Sequence, residues 1–363
     1  MKLQVTQENL AKALGNVSRV ASTRGTLPIL SNVLIKTVGN RLSIAATNLD
    51  IAINHYIGSK VSEEGSITVP ARLMQDFVAS LPSGVIDLKL EDYKLHISTD
   101  QYQSVINGVS ADDYPVMPAI TEGKQWNIPA KMLKTALQQV IVAASNDEAR
   151  PVLTGVYLHS HDGSLYMVAT DSYRLAEKRL TKTKEDINLL IPASALQDLL
   201  RIISESEDSV EVTHDDQQVL FRVGDIELVT RLIEGAYPDY RKLIPTAFTS
   251  SALVKRADIT NVTKVSSLFA RESAGSVTIN LDEKKSELSI RSIASQLGEN
   301  TSSATAEVTG DGVITLNSRY ILDALHVLGG ESVKFSFNGK LEPTVLTDPK
   351  ADDYIHVIMP LKS

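Results

Sequence analysis

Three successive α+β domains, each with two helices packed on antiparallel sheets, are predicted from three observations: a segment that recurs after 122 and again after 125 residues, amphipathic helical stripes at matching places, and short alternating strands between them. The size agrees. A chain of 363 residues with 43% hydrophobic content exceeds one ordinary domain and supplies apolar material for two or three cores.

The recurring segment is Pro70-Ala-Arg-Leu-Met-Gln-Asp-Phe-Val, which returns as Pro192-Ala-Ser-Ala-Leu-Gln-Asp-Leu-Leu and then as Asn317-Ser-Arg-Tyr-Ile-Leu-Asp-Ala-Leu. Each copy follows a β-type stretch and opens with Pro or Asn, residues that suit a helix start. Leu73, Met74, Phe77 and Val78 then form one helical face, as do Leu196, Leu199, Leu200 and Ile203, and Tyr320, Ile321, Ala324 and Leu325. A second helix repeats too, with Leu10, Ala13, Leu14, Val17, Ala21 and Ser22 answered by Leu133, Ala136, Leu137, Val140, Ala144 and Ser145. Its third version shows Val262, Val265 and Leu268 on one face. Helices are therefore expected over 7–22, 70–81, 129–145, 192–204, 252–271 and 317–328, and domains over 1–123, 124–247 and 248–363.

Between the helices, runs such as RLSIAAT, GVYLHS, SVEVTH and SVTINL alternate apolar with polar residues, the pattern of antiparallel sheet covered on one face.

Charge is segregated along the chain. The net charge is −8, yet the six expected helices hold an excess of six basic over acidic residues, so the remainder is strongly acidic. On the first helix Lys12, Asn16 and Arg19 lie opposite the apolar stripe, and on the third Lys131, Lys134 and Gln138 do the same. On one helix such cations would be ordinary solvation; repeated over three domains they point to a shared basic surface. With aromatics at 5% there is no stacking platform for single strands, so the fitting ligand is backbone phosphate, bound without reading sequence.

There are no cysteines, which excludes disulfides, thiolate metal sites and cysteine nucleophiles. No apolar run of about 18 residues is present and the first residues lack a signal-peptide layout, so a soluble cytoplasmic protein with no membrane partner is expected. Phosphate loops, dinucleotide fingerprints, HExxH and GxSxG are missing, and no enzymatic activity or cofactor is expected. His159 and His161 share a strand face without a third ligand and read as surface histidines, not a metal site. The acidic pairs Asp112-Asp113, Asp215-Asp216 and Asp352-Asp353 could serve a two-metal nuclease, but each adjoins turn-forming or polar residues and reads as a solvated turn. A scaffold that never touches DNA is the other alternative; it would lack a continuous positive wall.

Taken in order, Thr26-Leu-Pro-Ile-Leu-Ser-Asn, Val69-Pro-Ala-Arg, Ala111-Asp-Asp-Tyr-Pro, Ala169-Thr-Asp-Ser-Tyr-Arg-Leu-Ala, Tyr237-Pro-Asp-Tyr-Arg-Lys-Leu-Ile-Pro and Ile358-Met-Pro-Leu carry a resemblance along the whole chain. The sequence resembles the bacterial DNA sliding clamps, the β subunits of DNA polymerase III. The resemblance implies the DNA clamp fold and a ring-forming head-to-tail dimer, with twelve helices inside and sheets outside. It also implies that the ring encircles duplex DNA as a processivity factor, is opened by an ATP-driven clamp loader, and tethers polymerase subunits and repair proteins through linear peptides. Topology would supply retention, since non-specific phosphate binding is typically only about 10⁻⁴ to 10⁻⁶ M.

By that resemblance DNA contacts fall on Arg24, Arg72 and Arg150, with Asp147 an unfavourable neighbour for phosphate; helix position alone adds Lys12, Arg19, Lys131, Lys134, Arg201, Arg256 and Lys264. The family's partner pocket carries over to Leu153, Gly155, Thr170, Ser172, Tyr173, Arg174, Leu175, Pro238, Lys242, Leu243, Thr344, Val357, Ile358, Met359, Pro360 and Leu361, with Arg174 expected to hold a polar group of the peptide. Ser172-Tyr173 replaces a frequent Gly-His, and Lys242 stands where Arg can occur. The dimer contact is expected at Tyr102, Ser104 and Ile106 against Val265, Leu268 and Phe269.

Overall fold

The computed structural model describes all residues except 22–26, 116–119, 121, 297 and 362–363. Arg24 and Ser22, both assigned from the sequence, lie outside the described residues. Six α-helices occur among those described: α1 Gln7–Val17, α2 Ala71–Ser80, α3 Ala130–Val140, α4 Ala193–Ile202, α5 Arg256–Phe269 and α6 Ser318–Val327. All six expected helices are present and shorter than expected. Residues 252–255 belong to the strand Ser250–Lys255, so the fifth helix starts later. Trimmed to these bounds, the helices exclude Arg19, Lys255 and Arg271, and their basic excess falls to three.

The chain forms two compact units, 1–134 with 194–232, and 135–193 with 233–363, so the central repeat contributes to both. In the first unit, one antiparallel sheet runs in the order Lys60–Glu63, Lys2–Thr6, Val85–Glu91, Lys94–Ser98, Gln103–Asn107. A second sheet of eight strands joins the first repeat to the second where Ile226–Arg231 pairs with Ile51–Gly58, His55 opposite Ile226. The other unit holds a twelve-stranded sheet that joins the second repeat to the third through Arg174–Lys182 and Ala351–Ile358, Arg174 opposite Ile358. Sheets thus cross repeat boundaries, because pairing open edges satisfies backbone groups that would otherwise be left unpaired.

The alternating strands behave as their sequences require: Ser276–Asp282 buries every second residue. Asn317 caps α6 by accepting from the Arg319 amide at 2.9 Å, and Pro70 stands at the cap position of α2. Two helical faces differ from expectation. Leu73 on α2 is exposed while Ala71, Met74 and Val78 face the core. On α5 the buried face is Ile259, Val262, Thr263 and Ser266, leaving Val265 and Leu268 outside. The Thr263 hydroxyl donates to the Ile259 carbonyl at 2.7 Å and Ser266 to Asn300 Oδ1 at 3.1 Å, so two polar residues enter the core with their hydrogen bonds satisfied. A pattern read from hydrophobicity alone misses that.

Candidate functional site

The strands Ser164–Thr170 and Arg174–Lys182 are joined by a tight turn whose sequence explains its shape. One carboxylate oxygen of Asp171 accepts from the Tyr173 and Arg174 amides at 2.9 and 3.0 Å, and the Thr170 hydroxyl donates to the Arg174 carbonyl at 2.6 Å. Ser172 takes φ +78°, the left-handed region that favours glycine. Tyr173 is left exposed at the turn's tip, and its carbonyl accepts from the Met359 amide at 2.8 Å. Two residues on, the Leu361 amide donates to the Thr315 carbonyl at 2.9 Å, so residues 359–361 are fastened at both ends.

Beneath this segment Val168, Leu175, Tyr240, Val345 and Val357 form a buried cluster, with Tyr157, Tyr237, Ile244, Phe248 and Ile355 packed against it. The result is an apolar shelf. Leu243 and Tyr173 stand out of it into solvent, and Met359, Pro360 and Leu361 are half-buried on it. Pro238 and Lys242 are exposed beside Leu243, with the Lys242 ammonium 2.6 Å from Asp239.

Several pocket residues named from the sequence are buried. Leu153, Thr344 and Ile358 are buried, as are Thr170 and Gly155. A Cβ on Gly155 would sit 2.8 Å from Ile233 and Leu190, so that glycine serves packing. Leu175 and Val357 form the floor. Arg174, expected to hold a polar group of the peptide, is already engaged within the chain: its guanidinium, 11% exposed, lies 3.0 Å from Asp171 and 2.5 Å from Asp323 and stacks 4.5 Å over the Tyr320 ring. It is a strut between the turn and α6, already neutralised by two carboxylates.

Beside the turn opens a cavity of about 380 Å³ lined by Arg150, Tyr173, Arg174, Asn317, Arg319 and Tyr320 among others. Asn317, Arg319 and Tyr320 were legible in the sequence only as the start of a helix; nothing local placed them against the turn. Arg150 is half engaged, with Nε 3.2 Å from Asp147 and Nη1 donating to Ser172 at 3.0 Å.

The proposed phosphate contacts separate into two groups. Lys12, Arg19 and Lys264 are exposed, the Arg72 side chain is 92% exposed, 3.9 Å from Asp76, and Lys131 is exposed but has an interaction within the chain. Others are engaged within the chain: Lys134 with Glu205 at 2.6 Å, Arg201 with Asp198 at 2.8 Å. Burial pushes the Asp198 carboxyl up against the pull of Arg201 and Arg19, which places α4 and the end of α1 within electrostatic reach of each other. Arg256 is corrected from an open cation to a structural one, since it donates to the Gly330 carbonyl at 2.7 Å and the Leu325 carbonyl at 3.3 Å.

At the expected dimer contact, Gln103–Asn107 is an edge strand that pairs, among the described residues, with Lys94–Ser98 alone. Ile106 is buried, whereas Val105 and Tyr102 are exposed. Val265 and Leu268 are exposed and Phe269 half-buried. Beside α5 runs Gly298–Thr309, which pairs with Glu287–Ala294 through Thr305 and with Ser250–Lys255 only from Ala306 on, leaving one side of its first half open among the described residues. That edge was not anticipated.

Three more readings are corrected or refined. His159 is buried, not a surface residue, and its Nε2 lies 2.9 Å from the Tyr240 hydroxyl. Asp352 and Asp353 lie in a strand, where they pair with Arg179 at 2.9 Å and Lys178 at 2.6 Å. Asp215 does hold a turn, accepting from the Gln217 and Gln218 amides at 2.8 Å. No helix among the described residues is long and apolar enough to cross a membrane.

Three family models match in succession: the N-terminal, central and C-terminal domains of the DNA polymerase III beta subunit, over residues 1–118, 127–239 and 241–362. The chain is 30% identical to the beta sliding clamp of Bacillus subtilis (strain 168), covering 100% of both, and 31% identical to that of Synechocystis sp., covering 100% of this chain and 99% of the other. Among solved structures, a sliding clamp (DNA polymerase III subunit beta) from Bartonella birtlesii bound to griselimycin superposes with a TM-score of 0.95 at 27% identity, 100% of each chain being covered.

Proposed function

Because the chain belongs to the DNA polymerase III beta subunit family, the bacterial sliding clamps, we propose that it acts as a processivity factor: two copies close head to tail around duplex DNA and tether polymerases through the apolar shelf. It is not an enzyme. The observation that carries this reading is the full-length match across three repeats, since a ring needs every domain.

Closure is assigned to two open strand edges, Gln103–Asn107 of one protomer and the first half of Gly298–Thr309 of the other, with Val105 and Tyr102 meeting Val265 and Leu268. Edge pairing explains why the apolar side chains around both edges face outward. DNA contact is assigned to Lys12, Arg19, Arg72, Lys131 and Lys264, whose side chains reach solvent from helices or their ends. Partner peptides are assigned to the shelf around Leu243, Tyr173 and residues 359–361, with the cavity at Asn317 and Tyr320 as a second subsite. The domains are read as 1–123, 124–247 and 248–363, and the protein as cytoplasmic, where chromosomal DNA is replicated.

The test is retention on circular against linearised DNA after loading by a cognate clamp loader and ATP at moderate salt. Retention on circles with loss from cut DNA establishes topological linkage; equal loss from both leaves a weak phosphate binder and removes the ring.

A further inference from the structure

The rim that carries Pro238, Lys242 and Leu243 has little regular structure of its own: one short 3-10 turn, Tyr240–Leu243, in a segment otherwise without helix or strand. Its position depends on what lies underneath. Tyr237 stacks on Tyr157 with ring centroids 4.9 Å apart, Tyr157 on His159 at 4.5 Å, and His159 on Tyr166 at 5.8 Å. The Arg241 guanidinium lies over Tyr166 at 4.4 Å, so both ends of the rim rest on one row of rings.

A polar chain runs through the same place. The Tyr240 hydroxyl donates to the buried Glu177 carboxylate, and Arg241 Nη2 lies 3.3 Å from the same carboxylate oxygen. Tyr240 has one proton, and a carboxylate can only accept, so the 2.9 Å contact to His159 Nε2 requires the imidazole to be the donor. Burial pushes the His159 pKa down to about 4, so near neutral pH the ring carries a single proton. Two acceptors compete for that proton, the Tyr240 oxygen 2.9 Å from Nε2 and the Ser160 carbonyl 3.3 Å from Nδ1, and the shorter contact, with Tyr240's own proton given to Glu177, assigns it to Nε2. Donation therefore runs from His159 to Tyr240 to Glu177, and Arg241 offsets the charge at its end. Within a buried site such linked bonds reinforce one another, and a carboxylate stripped of its partners is costly.

We infer that His159, Tyr240, Glu177 and Arg241 form a latch that holds the rim in its peptide-binding position, making Tyr240 and Glu177 positioning residues for recognition although neither needs to touch the ligand. The inference rests on the reading of the shelf as a peptide site and adds what keeps its wall in place. Tyr240→Phe keeps the ring in the core and removes only the hydroxyl; Glu177→Gln keeps an acceptor for Tyr240 and removes the charge facing Arg241.

The probe is a fluorescein-labelled decapeptide whose only apolar residues are an adjacent Leu-Phe pair, titrated against the full-length protein by anisotropy. Tyr240→Phe is expected to weaken binding about tenfold or more and Glu177→Gln by less, in keeping with loss of a hydrogen bond to a charged group. Amide exchange over 237–244 should rise in both variants without peptide, and the ¹⁵N shifts of His159 should show an Nε2–H tautomer in the wild type that is lost in Tyr240→Phe. Peptide affinity and rim exchange both unchanged in Tyr240→Phe would overturn the latch, as would an Nδ1–H tautomer in the wild type. A wild type that ignores the peptide while Leu243→Asp changes nothing is a different result, and it sinks the shelf reading with the latch.

Discussion

The exposed helix cations and the C-terminal shelf are built on opposite plans. Lys12, Arg19 and Lys264 project from helical surface, and the Arg72 side chain is almost wholly in water. Around the shelf, by contrast, Arg174 is bound to Asp171 and Asp323, Tyr240 is bound to Glu177, and residues 359–361 are held at two amides. Loosely held charges suit a ligand that must slide past, because phosphate binding needs no fixed geometry. Side chains already held by hydrogen bonds suit a partner that must stay, because preorganised groups lose little freedom on binding.

The sharpest way to break this comparison is to remove the ring. Val105→Glu with Leu268→Glu places like charges at both outward-facing edges, and monomers in sedimentation together with complete loss of retention on circular DNA are expected; a dimer of unchanged mass would refute the edge assignment.

Acid should separate the regions next. His159 and His356 lie in the unit that carries the shelf, and burial lowers their pKa values to about 4 and about 3; His55, in the other unit, is lowered to about 4 by burial and by Lys12. A histidine whose folded pKa is depressed stabilises the fold above its unfolded value near 6.5 and loses that contribution as pH falls through 6.5 toward 4. Each costs about 1.4 kcal/mol per pH unit in that window. The shelf unit, with two such residues, is therefore expected to lose amide protection first between pH 6 and 4, and simultaneous loss in both units would contradict it.

Leu243→Asp should abolish most peptide affinity, by roughly 30-fold or more if Leu243 is an anchor point, while retention on DNA stays intact. A parallel loss of both would show that the two regions are not independent. Lys12→Ala or Arg72→Ala should do the reverse on a smaller scale, leaving peptide binding alone and lowering the salt slope of DNA binding by about one unit each. The smallest effect belongs to Ser172→Gly. Relief of the left-handed φ should stabilise by about 0.5–1 kcal/mol in thermal melting, less whatever the lost Arg150 hydrogen bond contributes.

How much of this was legible in advance depended on whether the signal was local. The Pro192 and Asn317 copies of the Pro70 segment announce their helices because turn chemistry and 3.6-residue spacing act within a few residues. The face of α5 was misread because Thr263 and Ser266 are polar by composition and become core only when carbonyls and Asn300 accept their protons. Arg174 and Arg256 looked like available cations for the same reason: Asp323, Gly330 and Leu325, which engage them, lie more than 60 residues away in sequence.

By itself the sequence determined the threefold repeat, the number and order of helices and the strand alternation, since all of these follow from short-range sterics and periodic burial. Only the tertiary structure decided which sheets cross from one repeat to the next, which strand edges stay open, and which charges remain free to meet a ligand. Those depend on groups distant in the chain meeting in space.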